Sequence, residues 1–232
     1  MTPLEFLAVV LPSPDNGLYC AAELSTKKKE HFYAQEIEHL QPVVDKWHKA
    51  GKDVFYALST FETSNREAAN ARYIRSLFID MDGYASKKDA AASLNEFMRK
   101  TGIDLLGSPY IVGSGGGLHV YWPFTQAVSI SEWKPVAEAL KRLCKQEGLS
   151  IDFTVTADAA RILRYPGTTN FKKKYDKPRP VRILAEGDTF DFETLAEHIR
   201  SQVKDLPLTP SLLPWPSPAH AQKQPHRPRQ SS

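Results

Sequence analysis

Two aspartates separated by one residue end an apolar run in the stretch RSLFIDMDGYAS, where Leu77 to Ile79 precede Asp80 and Asp82. In a strand, residues i and i+2 point to the same face, so both carboxylates can approach one site. Like charges this close repel each other unless a divalent cation neutralises them, and carboxylate oxygens suit such hard cations. The pattern therefore predicts a metal-binding acid pair. A surface turn, in which Asp-Gly is common, is the structural alternative.

The glycine-rich stretch SGGGLHVYW provides a second chemical group. Ser114, Gly115, Gly116 and Gly117 present main-chain amides with little steric hindrance, which suits phosphate oxygens. His119 follows at the start of a strand with alternating side chains and can donate a hydrogen bond to phosphate. A glycine hairpin with a half-buried histidine is the alternative interpretation.

A third stretch, SIDFTVTADAARILRYPGTTNFKKK, combines acids with cations. Asp152 lies between apolar residues of a predicted strand, and Asp158 follows in a less regular segment. The cations suit a triphosphate or a nucleic-acid backbone, and they are Arg161, Arg164 and Lys172 to Lys174. A solvated basic loop is the alternative. Three acids, a glycine-histidine loop and a basic cluster are together what two-metal phosphoryl transfer requires.

Hydrophobic periodicity predicts the elements that position these groups. Helices are expected over residues 2–11, 34–50, 87–101, 130–147 and 191–203, with Gly102 and Gly148 ending the third and fourth. Strands are expected for GLYCAAEL, DVFYALSTF, Leu77–Asp82, the two sides of the glycine loop, SIDFTV and VRILAEG. We predict one catalytic domain over residues 1–205. The Pro- and Ser-rich residues 206–232 are predicted to be a flexible tail or a linker to a following segment.

Composition narrows the class of protein. The chain has 232 residues, of which 41% are hydrophobic and 25% charged, as in ordinary globular proteins. No apolar stretch approaches the roughly 20 residues of a membrane helix, and the N-terminus lacks a signal-peptide pattern, so a cytoplasmic protein without a membrane partner is expected. Cys20 and Cys144 are predicted to be reduced core residues. The net charge of +3 permits nucleic-acid binding without indicating it.

The order FIDMD, SGGGLHVYW and IDFTVTADAARILRYPGTTNFK resembles the archaeo-eukaryotic primase superfamily. It is most similar to the primase-polymerase domains of bacteriophages, plasmids and other mobile elements, and the resemblance spans roughly residues 1–203. The resemblance implies an α+β fold, an archaeo-eukaryotic-primase-like catalytic core with mixed, largely antiparallel sheets, an RRM-like element and flanking helices. It also implies the cytoplasm of a bacterial host, if a phage or plasmid encodes the protein.

The resemblance implies a DNA primase and DNA polymerase that makes and extends primers on single-stranded DNA. Asp80, Asp82 and Asp152 would bind two Mg²⁺ or Mn²⁺ ions, with Asp158 as the alternative third acid. The NTP or dNTP would be bound by Ser114, Gly115, Gly116, Gly117, His119, Arg161, Arg164 and Lys172. Arg161 could instead hold the template or a neighbouring acid.

Further partners are expected on the same basis. The template is predicted to contact Arg72, Arg75 and Lys173, and the basic loop Lys27–Lys29 is a further candidate. Many members of the superfamily carry a helicase domain after such a linker, so a helicase is an expected partner.

Three other functions compete with this one. A haloacid-dehalogenase-like phosphatase would use Asp80 as nucleophile and Asp82 as general acid, but Tyr84 stands where that family has threonine. A non-catalytic DNA-binding module would gain nothing from three carboxylates facing a polyanion. A nicking initiator would require paired metal-binding histidines, whereas His119 stands alone.

Overall fold

The computed structural model describes residues 1–25 and 29–204. Lys27, Lys28 and the predicted tail therefore lie outside the described residues. Within them the chain forms five α-helices, namely α1 Pro3–Val10, α2 Gln41–Lys49, α3 Lys87–Thr101, α4 Ile130–Gln146 and α5 Phe192–Gln202. The strands are β1 Tyr19–Glu23, β2 Glu30–Ala34, β3 Val54–Ala57, β4 Ser59–Phe61, β5 Ala71–Met81, β6 Tyr110–Gly113, β7 Leu118–Ser129, β8 Ile162–Arg164, β9 Thr169–Asn170, β10 Arg179–Pro180 and β11 Arg182–Ala185.

The strands form two main sheets, and every pairing between these strands is antiparallel. One sheet has the order β2-β1-β3-β8, the other has the order β11-β6-β7-β5-β4, and β9 and β10 form a small hairpin. The long β5 and β7 pair over most of their length, which places Asp80 opposite His119. The expected α+β class with antiparallel sheets is confirmed.

The predicted single strand DVFYALSTF is wrong, because it is divided between the two sheets. Val54–Ala57 pairs with β1 and β8, whereas Ser59–Phe61 pairs with β5. The intervening Leu58 is buried, and its amide donates to the carbonyl of Arg161. This crossing links the inner strand β3 of one sheet to the edge strand β4 of the other, so the segment connects the two main sheets.

Local capping signals set the helix ends as the sequence predicts. Ser86 caps α3, and Gly102 ends it with φ of 72°, a conformation that glycine adopts at low cost. Ser129 and Glu132 form a capping box at the start of α4. The helix predicted over 34–50 is shorter than expected. Residue 34 belongs to β2, and a 3₁₀ turn over 37–40 precedes α2.

Helix α4 packs across β5 and fixes the strand that carries the acid pair. Trp133 stacks on Phe78 with ring centroids 5.9 Å apart, and its indole N–H donates to the carbonyl of Ser76.

Both cysteines are buried and free, as predicted. No helix in the described part of the chain combines the length and apolarity needed to cross a membrane.

Candidate active site

One cavity lies where the two main sheets meet, and it gathers most of the predicted functional residues. The five-stranded sheet and its glycine loop contribute acids, the histidine and small residues, and β8 with the following loops contributes cations. The lining residues are Phe55, Asp80, Asp82, Ser114, Gly116, His119, Arg161, Ile162, Leu163, Arg164, Asn170, Lys172 and Tyr175. The cavity therefore joins carboxylates on one wall to a cationic wall opposite.

The acid pair ends β5 as predicted. Asp80 is the penultimate residue of the strand, its side chain is only 13% exposed, and Asp82 follows the last residue. Burial and the charges of Asp82 and Asp152 together raise the pKa of Asp80 to about 6, against the opposing effect of Arg161 and Lys172. The cavity thus concentrates negative charge that a cation would relieve.

Asp152 lies beside the acid pair, but the strand predicted for SIDFTV is wrong, because residues 150–152 have no regular secondary structure and residues 153–157 form turns. The Asp152 amide donates to the carbonyl of Asp80 at 2.8 Å, so the two main chains touch. Its carboxylate accepts the amide and hydroxyl of Thr154 at 3.0 and 2.6 Å. Burial favours a higher pKa for Asp152, yet these bonds and the Arg161 charge outweigh it and lower that pKa. Asp158 instead caps a turn by accepting the amide of Ala160.

His119 is buried at the back of the cavity, and its Nε2 lies 3.8 Å from an oxygen of Asp80. Burial, together with the neighbouring Arg164, Arg161 and Lys172, lowers the pKa of His119 to about 3, so the ring is neutral. The Tyr121 hydroxyl lies 3.4 Å from Nδ1 and itself accepts from Tyr56 at 3.0 Å. When Tyr121 donates to Nδ1, the proton of the ring is on Nε2, which faces Asp80.

The glycine loop is a closed turn rather than a fully open cradle. The amides of Ser114 and Gly117 are engaged within the loop, by the Gly117 carbonyl and the Ser114 hydroxyl, each at 3.0 Å. Among the described residues, only the amides of Gly115 and Gly116 in this loop lack a partner. A Cβ on Gly117 would collide with the Met81 carbonyl, so only glycine lets the loop approach the acid strand.

Both arginines line the cavity, and each carries one unsatisfied side-chain nitrogen. Arg164 is buried, donates to Asp53 at 2.6 Å and stacks over Phe55, with its guanidinium carbon 4.9 Å from the ring centre. Arg161 Nη2 lies 3.7 Å from Asp80. Arg164 Nη2 and Arg161 Nε are buried and have no hydrogen-bond partner among the described residues. Unsatisfied buried donors on cationic side chains beside a cavity favour binding of an anion there.

Several residues that shape this cationic wall carry no recognisable signal in the sequence. Asp53 holds Arg164 and also accepts the Phe171 amide at 2.8 Å, so it ties β8 to the loop that carries Lys172. Tyr175 lies directly against Gly116, and Arg179 stacks on its ring at 3.9 Å. No local pattern marked these residues, because each acts on a segment distant in sequence. The lysine run beside Tyr175 was the nearest available signal.

The residues predicted to contact DNA lie outside the cavity lining. Arg75 donates from its three nitrogens to the carbonyls of Phe124, Ala8 and Thr125, so it supports the packing of α1 and β7. Arg72 pairs with Glu62 at 3.8 Å. Eight residues along β5 separate Arg72 from Asp80, a distance of about 26 Å. Lys173 is exposed beside the cavity. The prediction of template contacts is therefore unsupported for both arginines and stays a prediction for Lys173.

The donor chemistry of the acid wall fits hard divalent cations. Asp80, Asp82 and Asp152 carry carboxylate oxygens, and burial, followed by the charge of Asp82, raises the pKa of Asp80. Within residues 1–25 and 29–204, no group of three or more potential ligand side chains is already clustered tightly enough to hold a metal ion. The three acids are therefore neighbours that do not form a closed ligand set in this structure.

No protein-family model matches the chain. A replication protein of Clostridium perfringens is 30% identical over 126 residues, which are 53% of this chain and 30% of that protein, so the match spans less than a third of the relative. The primase-polymerase AEP domain of cyanophage S-2L superposes with a TM-score of 0.60 at 15% identity, covering 84% of this chain and 95% of that domain. Primase RepB′ superposes with a TM-score of 0.56 at 15% identity, covering 87% of this chain and 63% of that one.

The catalytic domain of RepB′, solved with initiator DNA, superposes with a TM-score of 0.55 at 15% identity, covering 87% of this chain and 95% of that domain. The chain therefore has the fold of the primase-polymerase catalytic domains. The resemblance drawn from the motifs is confirmed at the level of the fold.

Proposed function

We propose that this protein is a template-dependent nucleotidyltransferase that makes and extends primers on single-stranded DNA. One observation carries the proposal. In a fold shared with primases, the acid pair and the side chains of Arg161 and Arg164, each with an unsatisfied nitrogen, line one cavity. Carboxylates opposite an anion site are the arrangement that transfer of a polyphosphate requires.

The cationic wall would bind the incoming nucleotide by its phosphates. Arg164, held rigid by Asp53 and Phe55, offers a buried donor, and Lys172 adds a mobile point charge. The neutral His119 donates from Nε2 and adds no net charge to the site. Asn170 supports the glycine loop by donating to the Ser114 carbonyl at 3.0 Å. These groups would hold the α-phosphate in line with the attacking hydroxyl.

Asp80, Asp82 and Asp152 would hold the divalent ions. When bound, such ions neutralise charge on the phosphate oxygens and activate the attacking hydroxyl. A 3′-hydroxyl then forms a bond to the α-phosphorus, and the bond to the pyrophosphate breaks. The acids remain close because the Asp152 amide is bonded to the Asp80 carbonyl.

The test is a primer-extension assay with labelled nucleotides, a single-stranded template and Mn²⁺ or Mg²⁺. We expect metal-dependent product from the wild type and a loss of at least roughly 10³-fold in Asp80→Ala, since the loss removes transition-state charge stabilisation. Asp152→Ala should be similarly impaired, whereas Asp158→Ala is the control because its carboxylate caps a turn. Activity that survives in Asp80→Ala would refute the proposal.

The same assay separates the competing functions. Release of phosphate from simple phosphomonoesters without extension would indicate a phosphatase. Binding of DNA with no product under any metal would indicate a non-catalytic module. The solved structures that share the fold are primases, so neither alternative is favoured.

A further inference from the structure

A groove beside α4 is lined mainly by cationic side chains and one aromatic side chain. It is lined by Glu138, Lys141, Arg142, Lys145 and Phe153, and we call it the α4 groove. A second depression continues it at the end of the helix. That depression shares Arg142 and Lys145 and adds Gln146, Val203 and Lys204.

Positively charged side chains outnumber negatively charged ones in the α4 groove. Glu138 is its single acid and pairs with Lys134 at 3.5 Å and Lys141 at 3.9 Å. Arg142 and Lys145 are exposed, three residues apart on one helix face, and neither forms an ion pair with any residue in 1–25 or 29–204. Free cations lining a concave surface favour a polyanion.

The aromatic residue of the groove is joined to the candidate active site. Phe153 is half-buried and directly follows Asp152, whose amide is bonded to the Asp80 carbonyl at 2.8 Å. Since consecutive Cα atoms are 3.80 Å apart, Phe153 lies within about 10 Å of the Asp80 main chain. A strand bound along the groove would therefore reach the catalytic acids within a few nucleotides.

We propose that the α4 groove binds the single-stranded template, with Phe153 stacking on an unpaired base while Arg142 and Lys145 contact its phosphates. This inference rests on the proposed function, which requires a template beside the acids. An aromatic platform next to cations is the usual combination for single strands, because every unpaired base presents a π face and a duplex does not.

The charge contribution is tested with the double variant Arg142→Gln, Lys145→Gln in the full chain. A fluorescent oligo(dT) is titrated at several salt concentrations. Losing two phosphate contacts should reduce the slope of log K against log[salt] by about 1.4 and weaken binding roughly tenfold at low salt. The matched control is Lys46→Gln, Lys49→Gln, which removes two exposed lysines with the same spacing from the last turn of α2. The control should bind as the wild type does.

The stacking contribution is tested with Phe153→Ala. We expect a loss of affinity of roughly 5- to 100-fold with an unchanged salt slope, because stacking releases no counterions. Phe153 also packs on the core, so Phe153→Leu is the second variant. It keeps apolar volume, should melt like the wild type, and should still lose affinity.

Oligonucleotide binding and primer synthesis together distinguish an error in the proposed template surface from an error in the proposed polymerase function. Equal oligonucleotide affinity and salt slope in the wild type, the Arg142/Lys145 variant and Phe153→Leu would overturn the α4 groove as the template site, even if primers are made. A wild type that binds oligo(dT) through these residues, but makes no product with any metal, would support the surface and refute the polymerase proposal. Thermal stabilisation by nucleotide with Mn²⁺ should be unchanged in all groove variants.

Discussion

Replacing Asp80 with asparagine should stabilise the metal-free protein while abolishing its activity. The carboxylate is 13% exposed, and burial with the charges of Asp82 and Asp152 raises its pKa from 3.8 to about 6. At neutral pH the folded state therefore holds a charge that water would solvate better. Asparagine keeps the shape of the side chain and removes that charge.

The magnitude follows from the two pKa values. Each unit of difference is worth 1.36 kcal/mol, so a rise from 3.8 to about 6 corresponds to about 3 kcal/mol of lost stability. The folded pKa is above the unfolded one, so the folded state binds more protons between these pH values. The penalty is absent below about pH 4, grows as pH rises to about 6, and is constant above it. In a chain of this size, 3 kcal/mol raises the melting temperature by roughly 6–12 °C.

The assay is chemical and thermal denaturation of the wild type and Asp80→Asn in EDTA from pH 4 to pH 8. The stability difference should be small at pH 4 and reach its plateau near pH 7. Mn²⁺ should then stabilise the wild type and leave Asp80→Asn almost unaffected. Asp158→Asn is the control, because that carboxylate caps a turn outside the cavity and should give no such gain.

The reasoning would be refuted if Asp80→Asn were less stable than the wild type at pH 8. That result would mean that attraction to Arg161 and Lys172 outweighs burial and the repulsion by Asp82. A difference that does not change between pH 4 and pH 7 would equally contradict a titrating carboxylate as its source.

Three further predictions test the walls of the cavity. Asp53→Asn should cost about 3 kcal/mol of unfolding free energy and raise KM for the nucleotide, because Arg164 loses its buried charged partner. Denaturation measures the first effect and steady-state kinetics the second. An unchanged KM would contradict the role of Asp53 in positioning Arg164. Tyr121→Phe should cost about 1–2 kcal/mol and weaken nucleotide binding, because His119 loses the group beside Nδ1; wild-type stability and affinity would argue against it. Gly117→Ala should cost more than about 2 kcal/mol by urea denaturation, because its methyl would collide with a main-chain carbonyl; a neutral effect would show that the loop can open.

Much of the architecture could be predicted because its signals are local. Helix α3 occupies the predicted residues, since Ser86 and Gly102 mark its ends with their own hydrogen bonding and backbone conformation. The two strands around the glycine loop also occur as predicted. Periodicity did not predict the division of residues 53–61 at Leu58, where one apolar run contributes a strand to each main sheet. Residues buried by one sheet and residues buried by the other have the same apolar pattern in the sequence.

The sequence predicted which residues belong to the candidate site, but not how they are arranged. Asp80, His119 and Arg164 were identified by residue type and order, and the structure places them around one cavity. The role of Arg75 could not be predicted, because its carbonyl acceptors come from distant segments. The position of Asp152 just before a turn was equally hidden, since a hydrogen bond to the Asp80 carbonyl holds it there.

The sequence by itself determined the helices, the strands around the glycine loop and which side chains could do chemistry, because capping, periodicity and residue type depend on near neighbours. The tertiary structure alone decided how those side chains are charged and directed. The neutral ring of His119, the raised pKa of Asp80 and the fixed guanidinium of Arg164 arise from burial between two sheets. The α4 groove likewise exists only because the turn that carries Phe153 packs beside a helix that precedes it in the chain. Burial and electrostatic environment depend on contacts between segments far apart in sequence, so local patterns do not record them.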